Sequence, residues 1–327
     1  MPHIISLFNN KGGVGKTTFL YHVANRIADT GTTVLMVDCD SQCNLTAQTL
    51  DDASIGRAWG ERGNSIYKAI ELVDRTIGDI RDRAPTKVSD NLYILPGDLL
   101  LSSFEDRLGD TWTGAKGGNE ASLRAQSAIF RSIKNAYQKC NASIVLIDLG
   151  PNLGALNRAT LSGSDYVIVP IAPDLFSIRG TENLGSKLVQ WRTEWEQCHT
   201  AWNGEGLDLP AGQPKFLGYI VQNHNIRNNA AGMTRGWQLF GNRMQDAVQT
   251  NIVDRLEPLG QVAACADGDY NLGQIPNLHS LIPYSQEARK PVYKCTGRDG
   301  LNGAHIASAR DSGTLFDPIA NLLNGLA

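Results

Sequence analysis

Residues 9–18 read NNKGGVGKTT, and this stretch decides the fold. It departs from the plain phosphate-binding pattern G-x-x-x-x-G-K-[ST], because Asn10 stands where that pattern has its first glycine and a second lysine, Lys11, follows it. The stretch lies between the strand-like segment HIISLF (3–8) and a helix expected from about Lys16. A glycine-rich loop between a strand and a helix binds phosphate, since its backbone N–H groups can point inward at anionic oxygens.

The individual loop residues have distinct expected roles in binding a nucleotide. Lys16 is expected to reach the β- and γ-phosphates, and the Thr17 hydroxyl is expected to bind Mg²⁺. Glycines at 12, 13 and 15 leave room for phosphate, because side chains at those positions would block its approach. The predicted nucleotide contacts of this stretch are Lys11, Gly12, Gly13, Val14, Gly15, Lys16, Thr17 and Thr18.

Elsewhere in the chain, short apolar strands alternate with longer stretches that favour helix. The predicted strands are HIISLF (3–8), TVLMVD (33–38), NLYILP (91–96), ASIVLID (142–148), YVIVPI (166–171) and KFLGYIVQ (215–222). The predicted helices lie near 16–30, 120–139, 154–163, 178–200 and 233–256. This alternation predicts an α/β fold with a doubly wound, mostly parallel sheet flanked by helices.

Three segments rich in Gly, Asp and other polar residues, at 50–64, 109–119 and 202–214, are predicted to be surface loops. No linker divides the chain, so residues 1–327 are predicted to form a single domain. The aromatic-rich segment WRTEWEQCHTAW (191–202) fits either a packed core helix or a partner site, and the sequence leaves both open.

Three carboxylates follow or end predicted strands. Asp38 and Asp40 come at the end of TVLMVDCD, and Asp148 ends ASIVLID. The carboxyl ends of parallel strands lie at one edge of a sheet, so these side chains are expected to converge on the phosphate loop. The pattern predicts Thr17 and Asp148 as surroundings of Mg²⁺, and it allows one of Asp38 and Asp40 to serve the metal and the other the attacking water.

Composition excludes several classes of protein. The chain has 327 residues, 42% of them hydrophobic, and no apolar run of the length that spans a membrane. Its six cysteines form no C-x-x-C pair and are expected to be reduced. The formal charge of −3 excludes a uniformly basic surface but allows a local basic patch. With Pro2 and His3 leading straight into a strand, a cytoplasmic location is expected.

Several motifs together resemble the ParA/MinD group of deviant-Walker P-loop ATPases, most closely its ParA-like partition members. They are KGGVGKTT (11–18), VDCDSQCNLT (37–46), IVLIDLGPNLGALN (144–157), VPIAPDLFSIRGTENL (169–184) and IPYSQEARKPV (282–292). The resemblance implies slow, Mg²⁺-dependent hydrolysis of ATP to ADP and phosphate. It also implies that Lys16 acts in its own subunit, while Lys11 reaches the nucleotide of a partner subunit in an ATP-dependent homodimer.

The resemblance assigns further roles at matching positions. Asp40 matches the residue that orients the hydrolytic water, Asp38 a carboxylate linked to the metal shell, and Asp148 the Walker B acid. Catalysis is therefore expected from Lys11, Lys16 and Asp40. Asn223 and Pro283 match positions near the purine base.

The resemblance also implies partners. Short relatives bind DNA non-specifically as ATP dimers, and an activating ParB-like or other adaptor protein is expected, with possible nucleoid association. The C-terminal FDPIANLLNGLA has no Lys or Arg, so no membrane anchor is expected. No helix-turn-helix domain is expected before the first strand. Candidate DNA-contacting residues are Arg227, Arg235, Arg243, Arg289, Lys290, Lys294 and Arg298.

Three functions remain open on these grounds. The first is an ATP-dependent dimer switch that partitions or positions DNA or another cargo. The second is an adaptor ATPase of a multiprotein defence, secretion or regulatory system, with little DNA affinity. The third is a metabolic enzyme that phosphorylates or ligates a small molecule, which Lys11 disfavours.

Overall fold

The computed structural model describes residues 1–224, 235–265 and 268–326, with backbone only at 223, 224 and 235–240. The strands are β1 His3–Leu7, β2 Val34–Cys39, β3 Thr86–Ser89, β4 Leu92–Leu95, β5 Ile144–Leu149, β6 Tyr166–Ile171, β7 Lys215–His224 and β8 Asn271–Pro276. The helices are α1 Lys16–Ala28, α2 Asn44–Thr49, α3 Asp52–Trp59, α4 Ile66–Asp74, α5 Leu101–Lys116, α6 Glu120–Cys140, α7 Ala155–Leu161, α8 Leu175–Ala201, α9 Arg235–Val248, α10 Asp254–Leu256, α11 Leu281–Ala288, α12 Ala304–Asp311 and α13 Asp317–Asn324. A π-helical turn, Gln249–Val253, joins α9 to α10.

Within the described residues, one eight-stranded sheet has the order β3-β4-β2-β5-β1-β6-β7-β8. Every pair is parallel except β3 with β4, which is antiparallel. The parallel strands therefore end at one edge of the sheet, and the loop after the central strand β1 opens there. The doubly wound, mostly parallel fold predicted from the sequence is confirmed.

Both faces of the sheet are covered, because side chains alternate along each strand. In β1, Ile4 packs into the cluster on one face, while Ile5 and Leu7 pack into the cluster on the other. Helices α4 to α9 contribute to the first cluster, and α1, α2 and α13 contribute to the second. A strand buried on both sides places its carboxyl end at a fixed point, which holds the β1 loop in position.

All six predicted strands are present, and the predicted helices correspond to α1, α6, α7, α8 and α9 with the turns that follow it. Sequence reasoning missed the edge strands β3 and β8 and several helices. The loop predicted at 109–119 is wrong, since α5 continues to Lys116. Its Gly114 lies where an added Cβ would come within 2.5 Å of the Ser122 Oγ, so this glycine permits close packing of α5 on α6.

The loop predicted at 50–64 is also wrong, because α3 occupies Asp52–Trp59. Asp51 caps this helix by accepting a hydrogen bond from the Ser54 N–H at 2.6 Å. A cluster of Asp and Ser can start a helix as readily as it can form a loop. The third predicted loop, 202–214, contains no helix or strand.

The aromatic-rich segment forms part of the core. Trp191 is buried in the first large cluster, and Trp195 packs edge-on against Trp112 with ring centroids 5.7 Å apart. The Arg158 guanidinium lies 3.8 Å from the centroid of the Trp112 ring. Of the two interpretations of residues 191–202, the packed helix is the one that the structure supports.

No helix among the described ranges has the length and apolar character needed to cross a lipid bilayer.

Candidate functional site

The β1–α1 loop forms the floor of a cavity of about 560 Å³ at the carboxyl edge of the sheet. Gly13 and Gly15 have φ angles of 71° and 87°, which a side chain would strain, so the loop turns as a glycine-rich phosphate loop does. This phosphate-loop cavity is lined by Gly12, Gly13, Val14, Gly15, Lys16, Thr17, Thr18, Asp40, Gln42, Asn44, Ala47, Gln48, Pro151 and Gln286.

Lys16 is the first residue of α1 and is only 7% exposed. Its Nζ donates to the carbonyl oxygens of Asn9 at 3.3 Å and Lys11 at 3.4 Å. Burial lowers the pKa of Lys16, and the charges of Asp148 and Asp40 oppose that shift. A buried cation that has only long hydrogen bonds to its own loop is well suited to an incoming polyphosphate.

Thr17 and Asp148 form a direct pair below the cavity. The Thr17 Oγ1 donates to the Asp148 Oδ2 at 2.6 Å. The other carboxylate oxygen, Oδ1, is buried and has no hydrogen-bond partner among the described residues. Burial, with a smaller contribution from Asp38, raises the pKa of Asp148 to about 8. An orphaned carboxylate oxygen beside a hydroxyl fits Mg²⁺, which takes oxygen ligands and lowers the cost of a buried negative charge.

Asp38 lies beside Asp148 on the neighbouring strand, in register with it, but points elsewhere. Its carboxylate accepts hydrogen bonds from the Thr46 N–H at 2.8 Å, the Thr46 hydroxyl at 2.6 Å and the Asp40 N–H at 3.2 Å. Burial raises its pKa to about 6. The contacts that the structure assigns to Asp38 hold the segment 40–46 rather than line the cavity.

Asp40 does line the cavity, with 7% of its surface exposed. One carboxylate oxygen, Oδ1, accepts from the Gln42 N–H at 3.0 Å, while Oδ2 has no hydrogen bond within the described chain. Asp38 thus lies in register with Asp148 and accepts from the Asp40 N–H, but of the three aspartates only Asp40 lines the cavity. The described residues contain no group of three or more His, Cys, Asp or Glu side chains that could hold a metal.

Lys11 precedes the first lining residue, Gly12, and has a partner in its own chain. Its ammonium forms an ion pair with the Asp174 carboxylate and lies 3.5 Å from the Ser177 Oγ. Asp174 is the N-cap of α8, and its other oxygen accepts from the Ser177 N–H at 2.9 Å. The two lysines of the loop thus have different environments: Lys16 is buried, whereas the Lys11 side chain is 35% exposed.

A second cavity, of about 60 Å³, shares Gly15 and Thr18 with the first. Its other lining residues are Phe19, Gln222, Ile275, Pro276, Asn277, Leu278, Ile282 and Phe316. The structure places Pro283 inside α11, and it lines neither cavity. Pro276, at the end of β8, lines the second cavity, and the predicted role of Pro283 near the purine base stays a prediction. The side chain of Asn223 lies outside the described residues.

Two buried side chains tie the loop to later parts of the chain. With its amide oriented to donate, Gln222 hydrogen-bonds the carbonyl oxygens of Val14 at 2.8 Å and Gly15 at 3.0 Å. His22 bonds the Thr18 carbonyl through Nδ1 at 2.6 Å and accepts from the Val292 N–H through Nε2 at 2.9 Å. Neither residue belongs to a recognisable motif, so only the structure could identify them.

The basic residues predicted to contact DNA are partly neutralised. Arg289, Lys290 and Lys294 pair with aspartates at 3.5, 2.7 and 2.5 Å, respectively. Arg243 and Arg298 are exposed and have no ion pair within the described residues. Arg227 and the side chain of Arg235 lie outside them. The described surface therefore carries fewer uncompensated cations than the sequence suggests.

Comparison with known proteins agrees with this geometry. The model of a family described as an AAA domain matches residues 2–197, which include the phosphate loop, Asp40, Asp148 and Asp174. Matching relatives carry names of the ParA group. The chain belongs to this family of ParA/MinD-like P-loop ATPases.

Two curated relatives illustrate the match. The sporulation initiation inhibitor protein Soj of Bacillus subtilis is 30% identical over 184 residues, 56% of this chain and 64% of Soj. The chromosome partitioning protein ParA of Caulobacter vibrioides is 29% identical over 183 residues, 55% of this chain and 60% of that protein. The chain thus spans less than two thirds of the length of each.

Solved structures extend the likeness over most of the chain. A Corynebacterium diphtheriae protein superposes with a TM-score of 0.68 at 27% identity, over 88% of this chain and 97% of that one. The cobyrinic acid a,c-diamide synthase of Mycobacterium smegmatis, solved with an ATP analogue and magnesium, gives a TM-score of 0.55 at 19% identity, over 85% and 86% of the two chains. At that identity the second likeness concerns the fold alone.

Proposed function

We propose that this protein is a Mg²⁺-dependent ATPase that works as a dimerisation switch in the partition or positioning of DNA or another cargo. The observation that carries the proposal is the phosphate-loop cavity, which Lys16 lines, together with a second lysine, Lys11, next to the lining residue Gly12. A metabolic P-loop enzyme needs only the buried Lys16, whereas we assign the partly exposed Lys11 to the nucleotide of a second subunit. The ParA name of a relative from Caulobacter vibrioides supports the partition role.

The residues of the cavity divide the reaction among them. Lys16 and the loop N–H groups bind the phosphates of ATP, and the base extends toward the second cavity. Thr17 and Asp148 would hold Mg²⁺, with Asp38 next to them, and the cation would neutralise charge on the phosphates. In a neighbour of the same fold, magnesium accompanies an ATP analogue.

Asp40 orients the attacking water through its free carboxylate oxygen. The water oxygen bonds to the γ-phosphorus, the bond to the bridging oxygen breaks, ADP leaves with the bonding electrons, and a proton of the water passes to an oxygen of the released phosphate. Lys11 of a second subunit adds positive charge to the phosphates at that moment, which makes hydrolysis depend on dimerisation. Without an activating adaptor protein, ParB-like or other, turnover is slow.

Isothermal titration of the wild-type protein with ATP tests the proposal. Saturable ATP binding that weakens at least 10-fold when EDTA removes Mg²⁺ is expected, with slow phosphate release in a parallel assay. A protein that binds no ATP with Mg²⁺ present, under conditions where circular dichroism shows it folded, would contradict the proposal.

The ion-paired state of Arg289, Lys290 and Lys294 favours a second candidate, an adaptor ATPase with little DNA affinity. Filter binding of long random-sequence DNA, at low and moderate salt and with or without ATP, separates the two. ATP-dependent retention that weakens with salt supports the DNA-partition function. No retention at low salt, together with ATP hydrolysis, supports the adaptor.

A further inference from the structure

The first turn of α8 contacts the phosphate loop through Asp174, while the two apolar residues that follow Asp174 are exposed to solvent. Asp174 uses one oxygen to cap α8 and the other to bind Lys11. The next two residues, Leu175 and Phe176, are 57% and 81% exposed. Exposed residues of this size at a helix start bury no core surface, and within the part of the chain that the structure describes nothing covers them.

The position of this turn in the fold indicates which molecule would contact its exposed apolar residues. Helix α8 follows β6 at the carboxyl edge of the sheet, the edge that carries the phosphate-loop cavity. Leu99 and Leu100, which follow β4 at the same edge, are 54% and 47% exposed. A second copy that delivers its Lys11 to this cavity must approach this edge.

The ion pair with Asp174 conflicts with a role of Lys11 in trans. The Lys11 ammonium is held by a carboxylate of its own chain, in a contact whose members are 35% and 37% exposed. The ammonium lies against α8 of its own chain, whereas a phosphate of the other subunit lies beyond this surface, so on the proposed trans role the ammonium has to turn away from Asp174. The monomer is therefore stabilised by a contact that dimerisation has to break.

We propose that the first turn of α8 is part of the surface that meets a second copy of this chain, and that Asp174 holds Lys11 back until that copy docks. This inference rests on the proposed dimer switch and adds its contact residues and its restraint. Phe176 and Leu175 favour the dimer, because docking removes them from water. Asp174 favours the monomer.

The charge of Asp174 can be removed without removing the helix cap, because Asn caps helices as well as Asp does. An ion pair of this exposure contributes a factor of about 1.4 to 5 per subunit, and two such pairs open in a dimer. Asp174→Asn is thus expected to tighten ATP-dependent dimerisation by roughly 2- to 25-fold. Asp208→Asn is the matched control, since it breaks the Lys134–Asp208 pair of similar exposure away from the site.

The apolar side of the same turn is expected to respond in the opposite direction. Phe176→Ser should weaken ATP-dependent dimerisation by at least about 10-fold, the effect of losing a buried aromatic contact. Ile77→Ser is the matched control, since Ile77 is 63% exposed and follows α4 at another part of the surface. Opposite effects from neighbouring residues cannot arise from a shared folding defect.

Sedimentation velocity measures dimerisation of the wild type and the four variants, with Mg²⁺ and a non-hydrolysable ATP analogue at 50 and 500 mM salt. The inference predicts tighter dimers for Asp174→Asn, weaker ones for Phe176→Ser and unchanged controls, with the Asp174 effect shrinking at high salt. A wild type that dimerises while Asp174→Asn dimerises no better, or Phe176→Ser no worse, overturns the inference and leaves the proposed function intact. Absence of any dimer in all five proteins overturns both.

Discussion

The two cavities of the site differ in how the chain builds them. The phosphate-loop cavity has one continuous floor, residues 12–18, which connects β1 to α1. The second cavity is assembled from distant segments: α1, the end of β7, the end of β8, α11 and Phe316. A site made by one short segment depends on local backbone geometry, whereas a site made by several depends on how the whole sheet edge packs.

The two cavities also differ in their lining groups, and therefore in the part of a nucleotide that each could bind. The phosphate-loop cavity combines buried charge, Lys16 and Asp148, with glycine turns, so it suits a polyphosphate and a cation. The lining of the second cavity is mostly apolar, with amide groups from Gln222 and Asn277, and we propose that it contacts the flat base of the nucleotide. Substitutions in the first cavity should therefore act on binding of any nucleotide, and substitutions in the second only on the choice and affinity of the base.

The largest effect is expected at Lys16. Lys16→Ala should reduce ATP affinity by roughly 1000-fold, because it leaves the phosphates without their buried cation. Calorimetry with Mg·ATP measures the change, and Lys87→Ala, on the exposed strand β3, serves as the control. Unchanged affinity in a folded Lys16→Ala protein would remove the phosphate site from this cavity.

Asp40 should affect turnover and leave binding in place. Asp40→Ala is expected to lower the rate of phosphate release by about 100-fold, the scale of a group that positions a reacting water, and to accumulate the ATP-bound dimer. Asp106→Ala, which removes an exposed carboxylate of α5, should change neither quantity. Normal turnover by Asp40→Ala would transfer the role to another residue, with Asp38 the first to test.

His22 links Thr18, which lines both cavities, to the segment at Val292, so its titration should weaken that link. Burial lowers its pKa to about 4, below the value of about 6.5 for the unfolded chain. The unfolded state therefore gains the proton first, and stability is lost as the pH falls from 6.5 toward 4. The loss attributable to His22 is about 2 kcal/mol at pH 5.

Urea unfolding at pH 7.5 and pH 5 measures that loss. His22→Leu lacks the titrating group, so its stability should fall less over the same interval, while the exposed His305→Leu control should behave like the wild type. Parallel losses in all three proteins would show that His22 does not set the acid response.

The smallest effect is expected in the second cavity. Leu278→Ser should weaken ATP binding by about 5-fold, equivalent to about 1 kcal/mol of apolar contact with the base, and leave the affinity for inorganic tripolyphosphate unchanged. Pro283→Ala should have no effect on either ligand. Equal weakening of both ligands by Leu278→Ser would show that the cavities are not separate subsites.

The contrast between a cavity built from one short segment and a cavity built from distant segments also explains which features could be predicted from the sequence. The six central strands and the phosphate loop follow from apolar runs and glycine spacing, which are local signals. The edge strand β8 has weak signals, because NLGQIP contains a glycine and ends in proline. Ile282-Pro283 repeats the Ile-Pro pattern of Ile275-Pro276. Only the fold shows that Pro276 is the proline that lines the second cavity.

Asp38 and Lys11 show a further limit of the sequence. The position of Asp38 at a strand end is readable, but its hydrogen bonds to Thr46 arise from the packing of segment 40–46. The extra lysine is equally visible in the sequence. Its ion pair joins residues 163 positions apart, and no spacing rule predicts such a pair.

The central claim is that the loop carries one lysine for its own nucleotide and one for that of its partner. Sedimentation velocity of Lys11→Ala with Mg·ATP, combined with calorimetry on the same sample, tests it most directly. We predict ATP affinity within about 3-fold of the wild type, no dimer and no hydrolysis above background, because the partner's cation is missing. A Lys11→Ala protein that dimerises with ATP and hydrolyses it at the wild-type rate would contradict the claim.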